Sequence, residues 1–206
     1  MNSKEDNDKN MISVVIMAHP KRAHLIPALK AQLGDVPVVF DEIGNIWDTC
    51  RRSWLAHDFK KKYGIVIQDD AVICKDFYKR AAAVLRAQEK AYITAFYCGG
   101  MGKMSVRNAL KNKKDHFIAG TIFNEVALCL PTDRIKDMVQ TCDDWEATND
   151  HFIQRWGLLR RIKVWYPVPS LIDHLPDEPS LYREMHGRDQ ADYPRIATAF
   201  IDRDEK

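Results

Sequence analysis

The chain has 206 residues, of which 46% are hydrophobic and 29% charged, and its formal net charge at pH 7 is +2. This length and composition suit one globular domain with a sizeable core and exclude a largely disordered chain. The small net charge does not demand a polyanionic partner, so an argument for nucleic acid depends on where the charges lie.

The amino-terminal segment, MNSKEDNDKN, is polar and charged. It lacks the apolar core of a signal peptide, and we expect a flexible leader at 1–10. No apolar run approaches the roughly twenty residues that span a bilayer, so we expect no membrane partner. The 5 cysteines are scattered and odd in number, which favours reduced thiols and a cytoplasmic location.

Strands and helices alternate in the first half of the chain. Apolar strands are predicted at 12–17, 36–40, 65–67 and 91–97, and helical patterns lie between them at 25–33, 46–63 and 76–90. This succession predicts an α/β fold in which a mainly parallel sheet is flanked by helices.

The second half of the chain is less regular. Short strands are predicted at 116–123, 126–130 and 163–166, and helices begin near 131 and 147. We assign 11–180 to a single domain and the polar segment 181–206 to a C-terminal tail.

Two adjacent carboxylates, Asp69 and Asp70, follow the apolar residues 65–67. Open α/β sheets bind ligands at the carboxyl ends of their strands, and two close carboxylates repel each other unless a cation or donor compensates them. A divalent metal carrying a phosphate-containing substrate is a natural compensation. A solvated turn, where Asp is common, is the alternative interpretation.

A basic segment follows the pair of glycines at 99–100 and contains no Asp or Glu between 101 and 114. Beside a cleft, it would suit a polyanionic acceptor, although such a charge run is also typical of a solvated surface. Its positive residues are Lys103, Arg107, Lys111, Lys113 and Lys114.

Five segments together resemble the small GT-A-fold glycosyltransferases, especially those encoded by bacteriophages. They are AHPKR, DEIGNIWDTCRRSW, IVIQDDAVICKDF, NDHFIQRW and WYPVPSLIDH, and the resemblance covers roughly 12–180. The Gln-Asp-Asp motif and the late Pro-Ser-Leu-x-x-His are specific only in combination. The resemblance implies a GT-A-like (Rossmann-like) domain that uses a nucleotide-sugar donor, and a phage enzyme would act in the host cytoplasm.

The resemblance also implies a metal site. Asp70 matches the family residue that coordinates Mn²⁺ or Mg²⁺ on the donor diphosphate, and Asp69 would contact the ribose or the donor sugar. His174 matches a second metal ligand from a late loop, although a lone His after a strand is often structural. Gln68 departs from the pattern, because many members carry an acid there, and its presence removes one ionic contact.

Asp150 matches the catalytic base that deprotonates an acceptor hydroxyl in inverting members of the family. Its place near a predicted helix start would keep it ionised. An Asp there is also an ordinary helix cap, so both interpretations remain open.

The remaining implied residues belong to the donor pocket at the ends of the first two strands. Arginines in this set would meet phosphates or hold Asp69, and the glycine would lie near the donor sugar unless it marks only a bulge. The set comprises Ala18, His19, Pro20, Arg22, Asp41, Arg51 and Gly120.

The acceptor is less constrained by the sequence. Phage enzymes of this kind modify hydroxylated pyrimidines in DNA, and the basic segment would then contact phosphates. A saccharide or protein acceptor fits the modest net charge equally well. Two further alternatives are a nucleotidyltransferase, which would release pyrophosphate, and a non-catalytic nucleic-acid-binding module. The expected donor is a UDP-sugar.

Overall fold

A 7-stranded sheet forms the centre of the protein, with strand order β2-β1-β3-β7-β5-β8-β6. The computed structural model describes residues 3–143, 152–176 and 195–203. The strands are β1 (Ile12–Ala18), β2 (Val38–Phe40), β3 (Tyr63–Gln68), β4 (Ala71–Ile73), β5 (Ile93–Ala95), β6 (His116–Ala119), β7 (Ala127–Pro131), β8 (Val164–Pro167) and β9 (Ile172–His174). The α-helices are α1 (Ser3–Asn10), α2 (Ile26–Leu33), α3 (Ile46–Leu55), α4 (Phe77–Arg86), α5 (Lys103–Lys111), α6 (Thr132–Asp143) and α7 (Phe152–Leu159).

Most strands of this sheet run in one direction. β1 is parallel to β2 and β3, and β5 is parallel to β8, while β7 lies antiparallel between β3 and β5. With β6 antiparallel to β8, only β6 and β7 run against the other strands of the sheet. The predicted fold class, an α/β domain with a mainly parallel sheet flanked by helices, is confirmed.

Helices cover both faces of the sheet. Alternate residues of each strand point to opposite faces and pack against different helices. On β3, Ile65 and Ile67 pack with α2 and α4, whereas Val66 packs with α3, α6 and α7 on the other face. Two tryptophans of this second cluster, Trp54 and Trp156, are each 1% exposed. A helix layer on each side therefore fixes the sheet and leaves the strand ends available for ligands.

Residues 3–10, predicted as a flexible leader, form helix α1. The helix has no apolar face, which explains why hydrophobic periodicity gave no signal for it. It is held by polar contacts: Asp8 is buried and accepts a hydrogen bond from Arg86 of α4 at 2.5 Å, and the Lys9 ammonium lies over the Tyr78 ring.

The predicted tail also contributes ordered structure. Within it, 195–203 packs on the domain, where Phe200 forms a bridge with Ser170. Ala197 donates from its backbone N–H to Asp173 at 2.6 Å, and Thr198 donates to the carbonyl of Cys98 at 2.9 Å. The other tail residues lie outside the described ranges.

His57 is buried where β1 and β3 begin. Its Nδ1 lies 3.1 Å from the hydroxyl of Ser13, and its ring packs on the backbone of Gly64, where a Cβ would lie 2.7 Å from the His57 ring. Only glycine allows this approach at position 64. Burial lowers the pKa of His57 from 6.5 to about 4.

We predict that acidification destabilises the fold through His57. Because its pKa is about 4 in the folded chain and about 6.5 in the unfolded chain, only the unfolded state takes up a proton near pH 5. The free energy of unfolding should fall by about 2 kcal/mol between pH 8 and pH 5 from this residue.

Urea unfolding of the wild-type protein and His57→Gln at both pH values measures this contribution. The variant should lose about 2 kcal/mol less than the wild type over the same interval. Equal losses in the two proteins would show that neutral His57 is not the cause.

Candidate functional site

The site lies at the carboxyl end of β3, where Asp69 and Asp70 connect β3 to β4. β4 pairs antiparallel with β9, in a register that places His174 opposite Ala71. The backbone N–H of Leu175 donates to the carbonyl of Asp70 at 2.9 Å and holds the two segments together. This pairing brings a late histidine beside the early carboxylates.

Asp69 is fixed by groups that follow β1, the parallel neighbour of β3. Its Oδ2 accepts a hydrogen bond from the backbone N–H of His19 at 2.7 Å, and its Oδ1 accepts one from Arg22 at 3.0 Å. Pro20 begins a short 3-10 turn that His19 caps through its side chain. Because the φ angle of proline suits a first helical turn, Pro20 favours the turn that carries Arg22.

Asp70 is the most enclosed residue of the site, with 1% of its surface exposed. Its Oδ2 lies 2.5 Å from Arg22 Nη1, 3.2 Å from Arg195 Nη2 and 3.1 Å from His174 Nε2. Its Oδ1 is buried and accepts no hydrogen bond from the residues that the structure describes. Oδ2 thus has three partners, whereas Oδ1 has none among the described residues.

The pKa values of Asp69 and Asp70 are shifted in opposite directions. Burial raises the pKa of Asp69, and the neighbouring charge of Asp70 adds to that effect against the hydrogen bonds from His19 and Arg22. Burial also acts to raise the pKa of Asp70, but His174, Arg22 and Arg195 outweigh it and lower the pKa to about 2. Asp70 therefore stays ionised throughout the neutral range.

The imidazole of His174 presents Nε2 to Asp70. Its Nδ1 lies 2.8 Å from the carbonyl oxygen of Leu175, which can only accept a hydrogen bond, so Nδ1 carries a proton. Its Nε2 lies 2.5 Å from Arg195 Nη2 and 3.1 Å from Asp70 Oδ2. Metal-binding histidines have this same arrangement, with the second nitrogen held by a carbonyl.

Asp70 and His174 are spaced as two ligands of one divalent cation would be. Neighbouring ligands of an octahedral ion are about 3 Å apart, and Asp70 Oδ2 and His174 Nε2 are separated by 3.1 Å. Among the described ranges there is no group of three or more His, Cys, Asp or Glu side chains that would form an all-protein metal cage. Mg²⁺ sites with one or two protein ligands are completed by phosphates and water.

The other residues that the sequence predicts for the donor pocket follow β1 and β2 or lie on α3. The carbonyl of Ala18, the last residue of β1, accepts a hydrogen bond from the backbone N–H of Asp41 at 2.8 Å. The Asp41 carboxylate accepts hydrogen bonds from Gly44 and Thr49, which order the loop into α3. Arg51 lies on α3, where it pairs with Asp48 at 3.3 Å.

Gly120 is not brought to these residues. Ala119, which precedes it, pairs with Val164 at the amino end of β8, so Gly120 lies near the opposite edge of the sheet from Asp69. A Cβ at Gly120 would meet nothing within 4 Å. Its assignment to the donor pocket remains a sequence prediction.

The positive side chains of the basic segment are all exposed, on α5 and the turn after it. Its last residue, Lys114, precedes His116, which pairs with Pro167 at the carboxyl end of β8. This end of the segment therefore lies at the same sheet edge as Asp69, four strands or about 20 Å away from β3. The exposed side chains are those of Lys103, Arg107, Lys111, Lys113 and Lys114.

One predicted site residue cannot be placed, and one residue of the site was not predicted from the sequence. Asp150, the candidate base, lies outside the described residues. Arg195 was not predicted, since it belongs to a polar segment without periodicity and reaches Asp70 only through the tertiary fold. No local signal in the sequence distinguishes it from a surface arginine.

No family model matches the chain, and no curated protein matches it. Among solved structures, it is similar to 4-diphosphocytidyl-2C-methyl-D-erythritol synthase from Anaerococcus prevotii, at 11% identity and a TM-score of 0.46, over 85% of this chain and 95% of that one. It is also similar to a variant of Drosophila β1,4-galactosyltransferase 7 in complex with manganese, UDP-Gal and xylobiose, at 11% identity and a TM-score of 0.44, over 87% and 76% of the two chains.

A third similar structure comes from Bacillus anthracis and is described as a candidate glucose-1-phosphate thymidylyltransferase in complex with sucrose. It is 10% identical with a TM-score of 0.44, over 79% of this chain and 89% of that one. At these scores, function has to be argued from the site itself. No helix within the described ranges has both the length and the apolar character needed to cross a bilayer.

We predict that Arg22→Met destabilises the fold by about 3–5 kcal/mol. The substitution keeps an unbranched side chain but leaves Asp69 and Asp70 without the buried cation that joins them, and an uncompensated buried charge costs that much. Urea unfolding at pH 7 measures the loss.

The matched control is Arg52→Met. Arg52 pairs with Asp48 at 2.7 Å in a partly exposed position, where an ion pair contributes about 1 kcal/mol or less. Equal losses for the two variants would contradict the special role of Arg22.

Proposed function

We propose that this protein is a metal-dependent glycosyltransferase that moves a sugar from a nucleotide-sugar donor, a UDP-sugar, to an acceptor hydroxyl in the cytoplasm. The observation that supports this most is the convergence of Asp70 and His174 at the carboxyl end of β3, with Oδ2 and Nε2 3.1 Å apart. Ligands of open α/β sheets bind at this edge.

In this proposal, Asp70 and His174 hold Mn²⁺ or Mg²⁺ together with the donor diphosphate. When bound, the cation acts as a Lewis acid that neutralises charge on the departing nucleotide diphosphate. The buried Oδ1 of Asp70, which accepts no hydrogen bond from the described residues, supports a cation on this carboxylate. Gln68 supplies no charge, so the donor phosphates contribute more of the ligand shell.

Asp69 orients the donor. A carboxylate has about four lone-pair positions, and Asp69 uses two of them for His19 and Arg22. The others remain for hydroxyl groups of the ribose or the sugar. Because Asp69 is held from two directions, it accepts such a bond without reorganising, which is how a preorganised site favours one orientation.

Asp150 is our candidate for the catalytic base. It would remove the proton from the acceptor hydroxyl while that oxygen attacks the anomeric carbon and the nucleotide diphosphate leaves. Such a single displacement inverts the configuration at the anomeric carbon and forms no covalent sugar intermediate. This role rests on the resemblance of NDHFIQRW to the phage-type enzymes.

For the acceptor, we propose a hydroxymethylated pyrimidine in DNA. The exposed basic segment supports it, since its end lies at the same sheet edge as the carboxylates. A base inside a duplex would have to be flipped out before its hydroxyl reached the site.

We predict that Asp70→Asn lowers Mn²⁺-dependent hydrolysis of a UDP-sugar by about 100-fold or more, because a Lewis acid contributes several kcal/mol to such a step. The control is Asp35→Asn, which removes a carboxylate that is 97% exposed. The assay measures UDP release with and without MnCl₂.

Full activity of Asp70→Asn would refute the site. Pyrophosphate release from a nucleoside triphosphate and a sugar phosphate, without UDP release, would instead identify a nucleotidyltransferase. Absence of both activities and of donor binding would favour a non-catalytic module.

We predict that replacing Lys111, Lys113 and Lys114 with Gln weakens DNA binding and reduces the salt slope of log K by about 2–3. Each lost phosphate contact changes that slope by about 0.9. Binding of hydroxymethylated duplex DNA is measured as a function of salt concentration. The control replaces three exposed lysines elsewhere, Lys60, Lys79 and Lys90. An unchanged slope in the first variant points to a saccharide or protein acceptor.

A further inference from the structure

Strand β6 is at one edge of the central sheet. It stands last in the strand order, and among the residues that the structure describes it pairs only with β8. Its sequence, HFIA, contains no proline, lysine or acidic residue, which are the usual means of protecting an edge strand. The outer side of β6 therefore presents backbone groups with which another extended chain can pair.

The register shows which backbone groups point outward. The backbone N–H of Val168 donates to the carbonyl of Asp115 at 2.8 Å, so this pair at the start of the ladder is hydrogen-bonded. Hydrogen-bonded and non-hydrogen-bonded pairs alternate in an antiparallel ladder. Phe117 is therefore hydrogen-bonded to its partner on β8, whereas the N–H and C=O groups of His116 and Ile118 face away from β8.

A groove with a volume of about 240 Å³ lies between α5 and this edge. Its α5 side carries the small polar residues Ser105, Asn108 and Asn112, and its β6 side is formed by Phe117 and Ile118. Successive side chains of a strand point to opposite faces. A strand added to β6 would place every second side chain against this groove.

The two faces of an added strand would meet different surroundings. α5 packs on the sheet face to which Phe117 points. Ile118 points to the opposite face, as does its register partner Trp165, and Ile118 is 42% exposed. One row of side chains would thus face the polar and basic groups of α5, and the other row would face apolar surface.

The charge of this region favours an acidic partner. The segment 101–119 contains five Lys or Arg residues and one acidic residue, Asp115, and Lys114 lines the groove itself. A second copy of this chain would bring the same positive set to the same edge, where like charges repel. Nucleic acid would contact the lysines but has no peptide N–H and C=O groups to pair with β6. An acidic peptide satisfies both the charge and the backbone groups.

We infer that the groove between α5 and β6 binds an extended acidic peptide, which adds a strand to the outer edge of β6. Main-chain hydrogen bonds would supply affinity, and the alternation of acidic and apolar side chains would supply specificity. The inference goes beyond the proposed function and does not depend on it. Because the peptide would contact lysines that we propose for DNA, the two partners would compete for this face.

The test uses a synthetic peptide of alternating glutamate and valine, about eight residues long, which is within the usual length of a strand. Calorimetry measures its binding to the full chain at low salt. Two further peptides carry N-methyl groups on all valines or on all glutamates. Since only one set of N–H groups faces β6, one modified peptide should bind at least tenfold more weakly and the other less than threefold more weakly. A peptide of alternating lysine and valine should not bind.

A matched pair of variants tests the same contact from the protein side. Ile118→Pro removes an outward N–H that β8 does not use, which is the position where an edge strand tolerates proline. Ile118→Ala keeps that N–H and also removes most of the side chain. The proline variant should bind the glutamate–valine peptide at least tenfold more weakly than the wild type, and the alanine variant less than threefold more weakly. Thermal unfolding verifies that both are folded, and the modified peptides keep the test valid if the proline variant is not.

Three results would overturn the inference. Equal affinity for all three glutamate–valine peptides would show attraction by charge without strand pairing. A dimer of the wild-type chain that Ile118→Pro abolishes would assign the edge to a second copy. Failure of the peptides to bind, together with DNA binding that depends on Lys111, Lys113 and Lys114, would assign this face to nucleic acid.

Discussion

The structure depends on how two adjacent buried carboxylates are compensated. Asp69 and Asp70 are 4% and 1% exposed, and an unpaired charge in such a position costs several kcal/mol. Arg22 compensates both negative charges, because one nitrogen of its guanidinium contacts an oxygen of each carboxylate. The carboxyl ends of β1 and β3 are thereby held together by ion pairs as well as by backbone pairing.

The same requirement explains the less regular parts of the chain. The pairing of β4 with β9 carries His174 to Asp70, and the segment 195–203 is anchored beside it through Asp173. Neither element adds to the central sheet. Both complete the surroundings of Asp70, so these two late segments contribute to the site more than to the central sheet.

The sequence predicted what local patterns encode. Apolar runs identified β1 and β3, and the position of Asp69 and Asp70 after such a run placed them at the carboxyl edge. Helix α1 gave no signal because its contacts are polar and involve residues distant in sequence, such as Arg86. The contact of Arg195 with Asp70 could not be predicted for the same reason, since it is made only by the tertiary packing of distant segments. The metal-ligand role of His174 was predicted only from the family resemblance, because a lone histidine after a strand does not by itself indicate a function.

The departure at Gln68 acquires a physical meaning from this arrangement. At this edge, the carboxylates of Asp69 and Asp70 face the guanidiniums of Arg22 and Arg195. An acid in place of Gln68, which is half-buried at the end of β3, would add a third negative charge at the same edge. A buried charge is destabilising unless it is compensated, so that acid would require a further cation. The amide of Gln68 avoids this requirement, and under the proposed function it leaves more of the metal's ligands to be supplied by the donor phosphates.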